Sequence, residues 1–208
     1  MEFWTIDEFQ KFYSHLEQSK VSDQLFATAI YVLFFTGLRI GELLALQWKD
    51  IDWEKKNLRV RQNLVIRREK SFGDMQYFLS TPKTKSSLRT IGLDDKTLDI
   101  LMKWKKRQER DVFSSENYIF QVNGDFVSDA WFRLRMKKNC RECGIKRIKI
   151  HSLRHSHASY LIYLGVDILH IQKRLGHQNV KTTLSLYGHL YPNYENDLMQ
   201  MLNSKNNF

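Results

Sequence analysis

The chain has 208 residues, 42% of them hydrophobic and 27% charged, enough to bury a sizeable core and ordinary for a globular protein. Its formal net charge of +10 is not ordinary and favours a polyanionic partner, because Lys and Arg displace the counterions condensed on nucleic acid. The longest apolar run (AIYVLFF, 29–35) falls far short of the ~20 residues of a membrane span, and the acidic start MEFWTIDEF lacks a signal segment. A cytoplasmic protein with no membrane association is therefore expected.

In chain order, Thr5 and Glu8 form a capping-box pattern that predicts a helix to about Gln18. Residues 23–35 carry Leu25, Phe26, Ala29, Ile30, Leu33 and Phe34, a helical stripe. Gly37 interrupts it, and a short helix is expected from Ile40 to Trp48. Asn57 to Arg68 alternates as a strand, and Met75–Ser80 and Leu88–Leu93 read as two more. The three are expected to form a small antiparallel sheet with turns near Gly73 and Lys85.

A helix follows from Asp94 to Asp111, with Leu98, Leu101 and Trp104 on one face. Asn123-Gly124 signals a turn, and Ser128 caps a helix to about Cys143. Helices over 152–164, 167–175 and 180–186 complete the reading. Tyr191, Tyr194, Leu198, Met201 and Leu202 recur at helical spacing, so residues 193–204 predict an amphipathic helix. The fold class is α+β, mainly α: one helical domain over 1–190 with a small three-stranded antiparallel sheet, and a C-terminal helical tail over 191–208. Cys140 and Cys143 form a lone C-x-x-C; a zinc site needs two further ligands, and no second pair exists.

The chemistry-bearing residues gather in a few places. In HSLRHSHAS (151–159), His151 and Arg154 stand three residues apart and share a helix face. His177 lies just past a Gly-marked helix end, and Tyr187 follows ten positions later. Upstream, Arg39 in TGLRIGELLAL has apolar neighbours, Leu38 and Ile40, so it reads as half-buried and in need of an anion; Glu42 is spaced to orient it. The bland readings are a solvated arginine, a core histidine and a packing tyrosine. His155, four residues from His151, raises a zinc alternative, but the Glu of H-E-x-x-H is absent. Two arginines, two histidines and a tyrosine suit holding a phosphodiester, attacking it with a phenol and moving the protons.

The segments TGLRIGELLALQW, TPKTKSSLRTIGL, HSLRHSHASYLIYLG, LGH and TTLSLYGHL resemble, in order, the conserved boxes of tyrosine recombinases of the phage-integrase type. The resemblance runs from about residue 5 to about 190. It implies that Arg39 and Arg154 clamp the scissile phosphate, that His151 assists proton transfer from the tyrosine, and that His177 hydrogen-bonds the phosphate. It also implies that Lys83, with Lys85 as competitor, is the general acid on a hairpin, and that Tyr187 is the nucleophile. Gly188 stands where Thr is usual after the nucleophile, while His189 is retained.

The expected product is a 3′-phosphotyrosine link with a free 5′-hydroxyl, resealed by a second 5′-hydroxyl without ATP, metal or cofactor. On the resemblance the partners are double-stranded DNA, on the nucleoid, and further copies of the chain, a tetramer on paired sites, acting in integration or excision of a mobile element. Relaxation of the type IB topoisomerase kind and a non-catalytic DNA-binding module are the alternatives, with a basic protein–protein adaptor a third. Family members usually carry a further N-terminal helical domain, so a catalytic fragment or an unusually short member is expected. The tail would dock on its own domain or on a neighbouring protomer.

Overall fold

The computed structural model describes residues 2–68, 75–80, 87–111, 117–122, 124–188 and 199. Helix α1 (Ile6–His15) opens on the Thr5–Glu8 capping box and ends at His15, earlier than the sequence predicts. Helix α2 (Val21–Thr36) is the centre of the molecule. Every residue from Leu25 to Phe34 is buried, not only the predicted stripe, because α1 and the later helices α4 (Asp95–Asp111), α5 (Asp129–Cys143) and α6 (Ser152–Tyr163) close around it. Such a helix must be apolar all round. Phe34 stacks on Phe9 of α1 at 3.9 Å, and Phe26 meets Phe132 of α5.

Gly37 ends α2 at φ +66°, a left-handed conformation that favours glycine. It is also a point of closest approach: a Cβ there would lie 2.6 Å from the His157 ring and 2.8 Å from Leu175. Helix α3 (Ile40–Leu44) is shorter than predicted. The chain leaves it to pair with the 118–119 segment, where Ile119 N–H donates to Leu46 O at 2.9 Å, and a 3-10 turn follows at Trp48–Asp50.

The sheet differs from the expectation in membership. Strands β1 (Ile51–Asp52), β2 (Asn57–Val60) and β5 (Arg89–Gly92) form the three-stranded antiparallel sheet, in order β1-β2-β5. Strands β3 (Asn63–Arg68) and β4 (Met75–Ser80) form a separate two-stranded ribbon. The predicted strand over 57–68 is thus broken after Val60. The register gives the reason. Val60 faces Arg89 while Asn63 faces Ser80, so three steps on one side answer nine on the other, and one ladder cannot hold both pairings. Lys83 and Lys85 lie outside the described residues.

Helix α4 (Asp95–Asp111) buries Ile100, Leu101 and Trp104 against α2. A short hairpin, β6 (Gln121–Val122) with β7 (Asp125–Phe126), turns at Gly124 with φ +86°. Helix α5 (Asp129–Cys143) is capped by Ser128 as predicted. Helices α6 (Ser152–Tyr163), α7 (Ile168–Leu175) and α8 (Val180–Tyr187) form the wall that carries the site, with Asp167 and Asn179 capping the last two. The tail over 191–208 lies, apart from Met199, outside the described residues. Among the described residues no helix is long and apolar enough to cross a membrane.

Candidate active site

The site begins where α2 ends. The αL turn at Gly37 throws Arg39 to the start of α3, and Glu42, one turn on, accepts from both the Arg39 backbone N–H (2.9 Å) and Nη1 (2.7 Å). About a third of the Arg39 side chain (36%) stays open to solvent, so its remaining N–H groups can meet an anion from outside. Glu42 itself is buried and is shared with a second arginine. Arg89 of β5 donates Nη1 and Nη2 to its two oxygens at 3.0 and 2.9 Å. Burial pushes the Glu42 carboxyl up, but the bonds and charges of Arg89 and Arg39 outweigh it and hold it below the usual range.

Arg154 is 2% exposed and differs in kind. Its Nη1 donates to Gly37 O at 2.7 Å and its Nη2 to Leu175 O at 2.5 Å, so carbonyls position it and, among the described residues, no carboxylate bonds it. Burial, then the charge of Arg39, pushes its pKa down to about 9, and it remains a cation at neutral pH. A buried cation without a bonded counter-ion is poised for an anion.

Behind it, Arg174 ties the wall together. It bonds the His157 ring (2.9 Å), Gly92 O (3.1 Å) and Phe35 O (2.9 Å), while Arg89 Nε reaches Arg174 O at 2.7 Å. His157 is fully buried, and burial drives its pKa well down, so it is a neutral strut.

The histidines and the tyrosine face this cationic floor. His151 sits exposed at the mouth of α6; partial burial and then Arg154 and Arg39 lower its pKa. His177 follows the left-handed Gly176 at the end of α7, and its Nδ1 meets Thr183 Oγ1 of α8 at 2.9 Å. Burial, then Arg154, Arg39 and Arg89, depress it to about 4, so it is neutral, with Nε2 left for a ligand. Tyr187 closes α8. It is 1% exposed, and its Oη lies 2.5 Å from His155 Nδ1. Burial raises the phenol to about 12 against the opposing pull of Arg154.

The structure therefore brings Arg39, His151, Arg154, His177 and Tyr187 into one electrostatically linked cluster. Lys83 lies outside the described residues. Sequence reasoning weighed His155 only as a metal ligand, although its spacing already placed it on the His151 face. Arg89 was missed, although β5 alternation puts it on the side of buried Ile91 and leaves Leu88 outside, 53% exposed. Thr183 had no signal beyond its place one turn before Tyr187. Among the described residues no group of three or more His, Cys, Asp or Glu is placed to hold a metal ion. Cys140 is buried, which raises its thiol to about 11, and Cys143 Sγ lies 3.8 Å from its carbonyl.

The chain is similar to known proteins over nearly its whole length. The model of the phage integrase family matches residues 2–193. The ICEBs1 integrase of Bacillus subtilis (strain 168) is 39% identical, over 97% of this chain and 54% of its own length. A XerC-like tyrosine recombinase of Caldanaerobacter subterraneus is 32% identical, over 84% of this chain and 48% of its own length. The chain spans about half the length of these relatives. Among solved structures, the Tn1549 transposon integrase in complex with transposon right end DNA superposes with a TM-score of 0.80 at 25% identity, covering 97% of this chain and 66% of that one. The catalytic domain of bacteriophage HP1 integrase shares the fold, with a TM-score of 0.61 at 16% identity, over 100% of this chain and 98% of that one.

Proposed function

The chain belongs to the phage integrase family, and on that premise we propose that it is the catalytic domain of a tyrosine recombinase that cuts and rejoins DNA at specific sites of a mobile element. The observation that carries this is Arg154: a buried cation held by carbonyls and, among the described residues, bonded to no carboxylate, within electrostatic reach of Tyr187 on α8. Arg39 and Arg154 bind the non-bridging oxygens of the scissile phosphate and stabilise the charge that builds in the transition state. His177 donates Nε2–H to the same phosphate when the Thr183 hydroxyl is bonded to Nδ1.

Tyr187 attacks phosphorus and forms a 3′-phosphotyrosine link, while Lys83 protonates the departing 5′-oxygen. Glu42 and Arg89 position the first arginine. Two guanidinium groups do here what divalent ions do in metal-dependent nucleases. Double-stranded DNA, with further copies of the chain on paired sites, is the partner set. The tail over 191–208 is the segment that would couple neighbouring copies. Tn1549 integrase bound to its transposon end supports DNA as the substrate by likeness.

Incubation with nicked duplexes tiled across the DNA around the gene tests the reading. A covalent protein–DNA adduct should form in excess chelator and disappear in Tyr187→Phe. An adduct that persists in that variant, or that needs a divalent ion, ends the proposal. The Lys83 role has its own test. With sulfur in place of the 5′-bridging oxygen, the leaving group needs little protonation, so Lys83→Ala should be slow on normal DNA and largely restored on the sulfur substrate. Restoration with Lys85→Ala instead would move the role to Lys85.

A further inference from the structure

We infer that His155, and not His151, is the side chain that takes the phenol proton from Tyr187; this deepens the strand-transfer reading and rests on it. A proton acceptor has to stand within hydrogen-bond reach of the oxygen it serves, about 2.6–3.2 Å or through one water. His155 Nδ1 stands 2.5 Å from Tyr187 Oη, with the two rings 5.7 Å apart. His151 is one helical turn further back, its ring 5.2 Å from that of His155, and it faces solvent at the mouth of α6. The approach of α8 is fixed at two points. Thr183 meets His177, and one turn later Tyr187 meets His155, so the phenol is aimed at this ring by the seat of the whole helix.

As Tyr187 Oη forms its bond to phosphorus, the O–H bond breaks and the proton passes to the Nδ1 lone pair, giving an imidazolium. The bond from phosphorus to the 5′-oxygen breaks, and that oxygen takes a proton from the general acid. On rejoining, a 5′-hydroxyl attacks phosphorus and gives its proton back to the group that served as general acid, Oη leaves, and His155 returns the phenol proton to it. No metal, oxidant or reductant enters.

The resting site keeps this base idle. Burial, then His151 and Arg154, hold His155 near 4 while the phenol sits near 12, so the proton stays on oxygen. The groups facing His155 are His151 and Arg154 from α6, His177 from the turn after α7 and Tyr187 from α8. A phosphate seated on the arginines offsets their field and favours the imidazolium, and the phenol turns acidic as its oxygen bonds phosphorus. Proton transfer is thereby tied to attack on DNA.

Adduct formation on the tiled nicked duplexes, followed against pH, tests this. His155→Ala should bind DNA as before but form adduct on the order of 100-fold more slowly near neutral pH, recovering as pH rises. A trifluorinated tyrosine at position 187, with a more acidic phenol, should restore most of that loss. His155→Gln, which can still accept a hydrogen bond from the phenol, should remain slow. Wild-type rates in His155→Gln would reduce the residue to positioning and overturn the inference. So would a faster His155→Ala, or a loss in His151→Ala that the fluorinated phenol rescues while His155→Ala is not rescued. No adduct from the unmodified chain on any duplex would instead remove the strand-transfer reading, and this assignment with it.

Discussion

Helices α2 and α8 are held in opposite ways. α2 is embedded on all sides in aliphatic and aromatic side chains, with Phe34 against Phe9, Phe35 and Tyr160. α8 buries two residues, Thr183 and Tyr187, and each bonds a histidine. The apolar cluster beneath α8 is small: Ala158, Ile162, Ile171, Leu175 and Tyr187 itself. Apolar contact is non-directional and sums over area, so α2 is a rigid frame. Hydrogen bonds are directional and individually modest, so α8 is aimed precisely by little energy.

The largest stability effect should separate the two helices directly. Phe34→Ala should cost about 3–5 kcal/mol in denaturant unfolding, since it leaves a cavity in a packed aromatic core. Leu184→Ala on the outer face of α8, where Leu184 is 47% exposed, should cost less than about 0.5 kcal/mol. Similar losses at both positions would remove the distinction.

Glu42→Gln comes next and tests the link between frame and site. It leaves Arg89 buried without its counter-charge, which should cost about 3 kcal/mol. It should also slow adduct formation by roughly 10²-fold as Arg39 loses its anchor. Full activity in a destabilised variant would show that Glu42 only holds the fold.

The last effect is a pH dependence that the α8 seat shares with the buried His157. His155 and His177 titrate near 4 when folded, against an ordinary value of 6.5, so the unfolded chain binds more protons between those limits. Their contribution to stability is complete above about 6.5 and is lost as pH falls through the window toward 4. Thermal unfolding from pH 7 to 4 should show this decline, and His155→Gln should make it smaller. A decline of the same size in that variant would place the sensitivity elsewhere.

Much of this was legible in the chain itself. The Thr5–Glu8 box, the apolar run of α2, the Ser128 cap and the glycines at 37 and 176 are local signals, because caps and left-handed turns depend on neighbouring residues. The pairing of His151 with Arg154, the half-buried Arg39 and its Glu42 partner followed from spacing along single helices. Sequence thus offered the candidate reactive residues and a mainly helical fold.

Tertiary structure alone decided how they meet. The break after Val60 comes from a register set by two different partner strands, which no property of residues 57–68 encodes. Arg89 joins Glu42 across 47 positions and His155 reaches Tyr187 across 32, and neither contact leaves a periodic trace. Burial, which makes Arg154 an unneutralised cation and keeps Tyr187 protonated, is a property of packing around those residues. Local energetics can be read from local sequence; desolvation and long-range contact exist only once the chain has closed on itself.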